Sequence, residues 1–150
     1  TSEYITNEAI YKYNVPIIPE NTVLLSFKMT VGKLSITTEE MLSNEAIAHM
    51  KIKKGSYLSS EYIYLFLHSL DFNSLGSTSS IVTAVNSTII KQISILIPNI
   101  EASIRFDEII KPIFNKIKNN SEQIETLKDT RDTLLPKLMS GEIRVEGFGG

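Results

Sequence analysis

The sequence predicts an α+β fold, in which a mixed, β-rich domain is followed by a long α-helix with a coiled-coil-like repeat. Three observations carry this prediction. Residues 22–29, "TVLLSFKM", are rich in β-formers and are followed by Gly32. Residues 45–52, "EAIAHMKI", alternate with a period of two. From residue 101 onward, apolar residues recur every 3.5 positions on average.

The first half of the chain predicts one hairpin and a third strand. Residues 1–20 are expected to be connecting structure with one short element, ended by Pro16 and Pro19. The strand at 22–29 pairs with "GKLSIT" through a tight turn around Thr30–Gly32, where glycine accepts a positive φ. The strand at 45–52 ends in a turn at "KKGS".

The next two segments have different periods. "SSEYIYLFLHSLDF" (59–72) repeats its apolar residues at helical spacing after Ser59 or Ser60, either of which can cap a helix. "TIIKQISILIP" (88–98) is β-branched and closed by proline, so we expect another strand there.

The last third predicts a helix from Glu101 to Met139, of 39 residues and about 58 Å, ended by Ser140–Gly141. Its repeat follows alternating steps of three and four, and seven of its nine positions are apolar. The positions of this seam are Ile110, Ile113, Ile117, Asn120, Ile124, Leu127, Arg131, Leu134 and Leu138. Pro112 is expected either to kink this helix or to begin its straight part, and Pro136 lies one turn from its end.

An apolar stripe of this length needs a partner helix. The first hundred residues contain no second long helix, so we expect the partner to be another chain or a second copy of this one. Asn120 either fixes the register of the pairing, as a buried polar residue does in a coiled coil, or faces water at a bend in "KNNSEQ". Both interpretations remain open.

Composition excludes several classes of protein. With 42% hydrophobic and 21% charged residues, a buried core is expected. The chain has no cysteine, which excludes disulfides and thiolate metal sites and fits the cytoplasm. No apolar run reaches the length of a membrane span, and "TSEYITNEAI" lacks the basic and apolar regions of a secretory signal. The net charge of −2 means that nucleic-acid binding would require local clustering of the basic residues.

Catalytic and metal-binding patterns are sparse. Neither His49 nor His68 has a second ligand at metal spacing, so we expect no metal and no cofactor. Ser77 lacks the glycine of a nucleophile elbow, and no Walker pattern is present.

Two short stretches are candidates for phosphate contact. In "GSTSS", backbone amides and short hydroxyls can hold phosphate oxygens, although a plain surface turn is the alternative. Its residues are Gly76, Ser77, Thr78, Ser79 and Ser80. At the hairpin, Lys28 and Lys33 can neutralise phosphates while Thr30 reaches base edges. The alternative there is that the two lysines only keep the hairpin soluble.

Taken in order, several stretches resemble the specificity (S) subunit of Type I restriction–modification systems. They are "LLSFKMTVGKLSI", "SNEAIAHM", "YLFLHS", "GSTSSIVTAVNSTIIKQISILIP" and, as the most specific, "LKDTRDTLLPKLMSGEIRV". The resemblance covers the chain from about Tyr4 to Val145, and it rests on order and spacing rather than on one motif.

The resemblance implies a non-catalytic, DNA-recognising chain. Residues 1–100 would be a target-recognition domain lacking its front part, 101–141 the conserved spacer helix, and 142–150 a tail. The implied partners are double-stranded DNA at a bipartite site and the methyltransferase (modification) subunits of the restriction enzyme. The helix would pair with a second half subunit or form a homodimer. Two other hypotheses are a coiled-coil oligomerisation module and a small serine hydrolase that uses Ser77 or a neighbour.

Overall fold

The computed structural model describes residues 5–28, 30–72 and 86–144, and it confirms the α+β class. The described elements are α1 (Asn7–Lys12), β1 (Val23–Ser26), β2 (Leu34–Ile36), β3 (Ile47–Met50), α2 (Ser60–His68), α3 (Ser87–Lys91) and α4 (Ile100–Met139). The chain divides into two compact units, Thr1–Ile110 and Lys111–Gly150.

The described strands form one antiparallel sheet in the order β2-β1-β3, which confirms the predicted hairpin and the predicted third strand. Val23 and Leu25 are fully buried, whereas Leu24 and Ser26, which point to the other face, are only half-buried. This alternation follows from the two-residue period of a strand with one face on the core. The remaining buried members of the core are Phe27, Ile63, Leu67, Phe72 and Ile90.

The β1–β2 hairpin is closed by backbone hydrogen bonds around Gly32. The amide of Gly32 donates to the carbonyl of Ser26, and the amide of Ser26 donates to the carbonyl of Lys33, both at 2.9 Å. Gly32 has φ +85°, as the sequence predicts. A Cβ at this position would lie 3.0 Å from Cδ2 of Phe72, so the ring of Phe72 would have to shift to admit a side chain here.

At the opposite end of the sheet, two buried threonines fasten the N-terminal segment. The hydroxyls of Thr22 and Thr37 each donate to the carbonyl of Pro19 at 2.8 Å. The amide of Thr22 donates to Thr37 Oγ1 at 2.9 Å. Both threonines are buried, and their hydroxyls are hydrogen-bonded, as burial of a polar group requires.

Helix α2 begins where the sequence predicts, with Ser59 as N-cap accepting from the amide of Tyr62. Ser59 Oγ also donates to a carboxylate oxygen of Asp107 at 2.6 Å. The ring of Tyr62 packs edge-on against Phe106 at 5.5 Å, and its hydroxyl donates to the carbonyl of Leu96 at 2.6 Å. These contacts fix α2 against the first turns of α4 within the unit Thr1–Ile110.

The prediction of a strand at 88–98 is wrong. Ser87–Lys91 forms the short helix α3, and residues 93–99 are irregular. The cause is the side chain of Asn86, which accepts from the amides of Thr88 and Ile89 and so starts a helix. This helix buries Ile90 in the core, and that burial overrides the β preference of the isoleucines.

The long helix α4 contains 40 residues, and both Pro112 and Pro136 lie inside it. It ends at Met139, as predicted, and Gly141 follows with φ +75°. The amide of Ser140 donates to the carbonyl of Pro136 at 2.9 Å, and the amide of Gly141 donates to the carbonyl of Leu138 at 3.2 Å. The helix is confirmed, whereas its coiled-coil pairing stays a prediction.

Replacing Gly32 with alanine should destabilise the chain by about 1–3 kcal/mol, because a Cβ must be accommodated at positive φ and against a buried ring. Gly55→Ala is the matched control. Gly55 has nearly the same φ, +86°, but nothing lies within 4 Å of its Cβ position, so a loss of about 1 kcal/mol is expected. Urea unfolding measures both variants. Equal losses would contradict the role given to Phe72.

Candidate nucleic-acid interface

The candidate interface lies at one end of the sheet, here called the hairpin end, which comprises residues 26–28, 30–33 and 45–47. Because β1 is antiparallel to both neighbours, its last residue lies beside the start of β2 and the start of β3. Ser26 pairs with Ile47, and beyond the ladder the amide of Phe27 donates to the carbonyl of Ala46 at 3.1 Å. The register therefore brings residues far apart in sequence to one edge.

The three predicted hairpin residues lie on one exposed loop. Lys28 and Thr30 are joined by a hydrogen bond of 2.6 Å from the Thr30 amide to the Lys28 carbonyl, and the hydroxyl of Ser26 donates to the Thr30 carbonyl. The side chain of Lys28 is 50% exposed, and Thr30 and Lys33 are exposed. Two cations and a hydroxyl are thus displayed together, which suits contact with a phosphate backbone.

The "GSTSS" candidates, Gly76 to Ser80, lie outside the described residues, and their phosphate contact stays a prediction. Phe72, which packs on Gly32, is the last described residue before them.

Sequence reasoning missed Glu45. Its carboxylate lies 3.6 Å from the ammonium of Lys28. The pKa of Glu45 is lowered, first by a hydrogen bond to its own backbone amide and next by the charge of Lys28. Lys33, by contrast, makes no ion pair within the part of the chain that the structure describes. Only the β1–β3 register could have revealed this pair, since positions 28 and 45 are the next opposite residues after 27 and 46.

The structure also brings Ser43 and His49 together, with Oγ 2.6 Å from Nε2. The distance suits a nucleophile and its base. The electrostatic environment does not suit a catalytic base. Burial is the main cause that lowers the pKa of His49, and the nearby cation of Lys51 lowers it further. A general base must become an imidazolium, and Lys51 opposes that charge. We interpret the pair as a structural hydrogen bond.

Residues 5–28, 30–72 and 86–144 contain no group of three or more His, Asp or Glu side chains placed to hold a metal ion. None of the described helices is both long enough and apolar enough to cross a bilayer.

Helix α4 carries the predicted apolar seam on its surface. Ile110, in the unit Thr1–Ile110, is half-buried. The other apolar seam positions are between 39% and 67% exposed in the single chain: Ile113, Ile117, Ile124, Leu127, Leu134 and Leu138. Asn120 is exposed, and Arg131 pairs with Asp132 at 2.7 Å. Both interpretations of Asn120 stay predictions.

A small α+β unit joined to a long helix with an exposed apolar stripe is the architecture that the resemblance implies. The comparison with known proteins agrees. Residues 1–129 match the family described as Type I restriction modification DNA specificity domain. The chain therefore belongs to that family.

Two curated relatives are named as specificity subunits of Type I restriction enzymes. The Type I restriction enzyme MjaIX specificity subunit of Methanocaldococcus jannaschii is 26% identical over 152 residues, covering 97% of this chain and 34% of that protein. The Type I restriction enzyme HindI specificity subunit of Haemophilus influenzae is 30% identical over 130 residues, covering 84% and 28%. The chain thus spans about a third of the length of the curated relatives it matches.

The environment of His49 predicts an acid-sensitive fold. Its pKa is lowered from 6.5, so the unfolded chain binds a proton before the folded chain does, and stability falls as the pH drops below 6.5. The urea midpoint should decrease between about pH 7.5 and about pH 5.5.

His49→Gln should remove part of this decrease, because it removes the imidazole whose pKa is lowered by burial and by the charge of Lys51. The ordinary pKa of Glu45 is 4.5, so its own titration falls below this window. An unchanged pH dependence in His49→Gln would refute the assignment.

Proposed function

We propose that this chain is a non-catalytic DNA-recognition component of a Type I restriction–modification enzyme. The observation that carries the proposal is the family match over residues 1–129, supported by two relatives named as specificity subunits. In the proposed assignment, residues 1–100 recognise double-stranded DNA, 101–141 form the spacer helix and 142–150 a tail. Such a chain acts where the DNA is, in the cytoplasm.

DNA contact is proposed at the hairpin end. The ammonium groups of Lys28 and Lys33 approach phosphates from one loop, and the hydroxyl of Thr30 lies between them in sequence, where it can reach a base edge or a phosphate oxygen. Lys54 lies in the turn after β3, at the opposite end of the sheet, since Met50 pairs with Val23. Substitution of a lysine at the hairpin end therefore tests the proposed contact, and substitution of Lys54 at the opposite end is its control. With so few cations, one unit should bind weakly and with strong salt dependence.

The apolar seam of α4 supports the second part of the proposal. Six exposed isoleucine and leucine side chains along one stripe would be covered by an antiparallel helix from a second half subunit or a second copy. That pairing would set the distance between two recognition units, and hence the gap between two half-sites. The same paired helices would dock the methyltransferase subunits, and the chain would direct the methyltransferase and restriction subunits to the bipartite site.

The seam also favours a second candidate, a pure oligomerisation module. In that case the helix carries the function and the α+β unit only caps it. DNA binding separates the two candidates, because the module requires none.

The first test is binding of the chain to a labelled pool of random-sequence duplexes across a salt series. Wild type should bind at low salt, with log affinity falling linearly with log salt. Lys33→Gln should reduce the slope by about 0.9 and weaken binding about three- to tenfold, and adding Lys28→Gln should weaken it further.

Lys54→Gln makes the same charge change at the far end of the sheet and should leave both quantities unchanged. Absence of binding by wild type, even at low salt, would overturn DNA recognition and favour the module. Equal effects of Lys33→Gln and Lys54→Gln would move the interface away from the hairpin.

The second test concerns the seam. Replacing both Ile124 and Leu127 with aspartate should release monomers in sedimentation velocity, because burying unpaired carboxylates in a helical interface is costly.

Thr126→Asp with Thr133→Asp is the matched control, since it adds the same charge to α4 at positions outside the seam. That variant should retain the wild-type mass. Identical masses for the seam variant, the control and wild type would contradict pairing through this stripe.

A further inference from the structure

The hairpin end contains a carboxylate as well as its two lysines, and the fold fixes that carboxylate opposite one of them. In the β1–β3 register, Ser26 faces Ile47, and the hydrogen bond from Phe27 to Ala46 extends the same alignment by one position. Lys28 and Glu45 are the next opposite pair. Their closest charged atoms are 3.6 Å apart.

The backbone on the Glu45 side is held independently of the ion pair. The side-chain oxygen of Asn44 accepts from the amide of Ala46 at 3.0 Å, and the amide of Ile47 donates to the carbonyl of Asn44 at 3.4 Å. This turn keeps Glu45 beside Lys28 even when the two side chains separate.

The ion pair itself is loose. The side chains of Lys28 and Glu45 are 50% and 83% exposed, so water screens their attraction and neither side chain is locked in place. A loose pair does little to orient Lys28. It does place a negative charge where a phosphate bound by Lys28 would lie, and like charges at such separations repel. Lys33 carries no such carboxylate among the described residues, so the two lysines are not equivalent.

We propose that Glu45 is an affinity-limiting residue of the DNA interface, which competes with DNA phosphate for Lys28. This inference rests on the proposed function. Binding exchanges the carboxylate of Glu45 for a phosphate oxygen at the Lys28 ammonium. Lys28 therefore releases fewer counterions from DNA than a free lysine does, and non-specific binding is held down by a charge built into the recognition unit.

The experiment is a double-substitution cycle on the full 150-residue chain, with the random duplex pool as probe. Glu45→Gln should bind about two- to fivefold more tightly at low salt and with a salt slope up to about 0.9 steeper. Lys28→Gln should cost more affinity in the Glu45→Gln background than in wild type, because only there does Lys28 act as a free cation.

Glu39→Gln is the matched control. Glu39 is exposed and follows β2, at the opposite end of the sheet, so the same change of net charge should leave binding unaltered. Circular dichroism confirms folding of each variant, and Glu45→Ser serves as a second neutral replacement.

The outcomes are distinguishable. If wild type binds DNA but Glu45→Gln and Glu39→Gln behave alike, or if Glu45→Gln binds more weakly, the role of Glu45 is overturned while DNA recognition stands. If wild type binds no DNA at all, the proposed function fails, and the inference fails with it.

Discussion

The register of β1 against both of its neighbours is the constraint on which the hairpin end depends. Burial of Val23 and Leu25 on one face sets this register, because a slip of one residue would turn both side chains away from the core. Gly32 then allows the chain to reverse tightly beneath the ring of Phe72. The positions of Lys28 and Lys33 follow from these apolar contacts.

The two compact units differ in how much of their apolar surface they bury. In the unit Thr1–Ile110, the sheet buries its core face against α2 and α3, and Tyr62 and Phe106 cover the junction with the first turns of α4. In the unit Lys111–Gly150, the isoleucines and leucines of the seam remain 39% or more exposed. Helices in proteins gain most of their stability from packing of their apolar face. A long helix with an exposed apolar stripe would therefore be stabilised further by packing against a second helix.

Sequence reasoning succeeded where local signals and tertiary packing agree. The β-forming residues of β1, the alternation of β3, the glycine of the hairpin, the Ser59 cap and the 3.5-residue repeat each identify their element correctly. It failed at 88–98, where the cap of Asn86 and the burial of Ile90 outweigh β-branched composition. The pairs Lys28–Glu45 and Ser43–His49 were missed, because each depends on a register or loop path that composition does not encode.

The net charge of −2 is compatible with DNA recognition, because a charge acts on a phosphate only within the screening length, which is about 8 Å at physiological salt. At that range the interface proposed at the hairpin end contributes two lysines and one glutamate. So small a local excess of positive charge would give a single unit little affinity for DNA. In the proposed arrangement, paired α4 helices hold two such units on one duplex. The second then binds at a high effective concentration, and tight binding requires both half-sites at the correct spacing. In this proposed arrangement, weak individual contacts would allow the helix pairing to control where the complex binds.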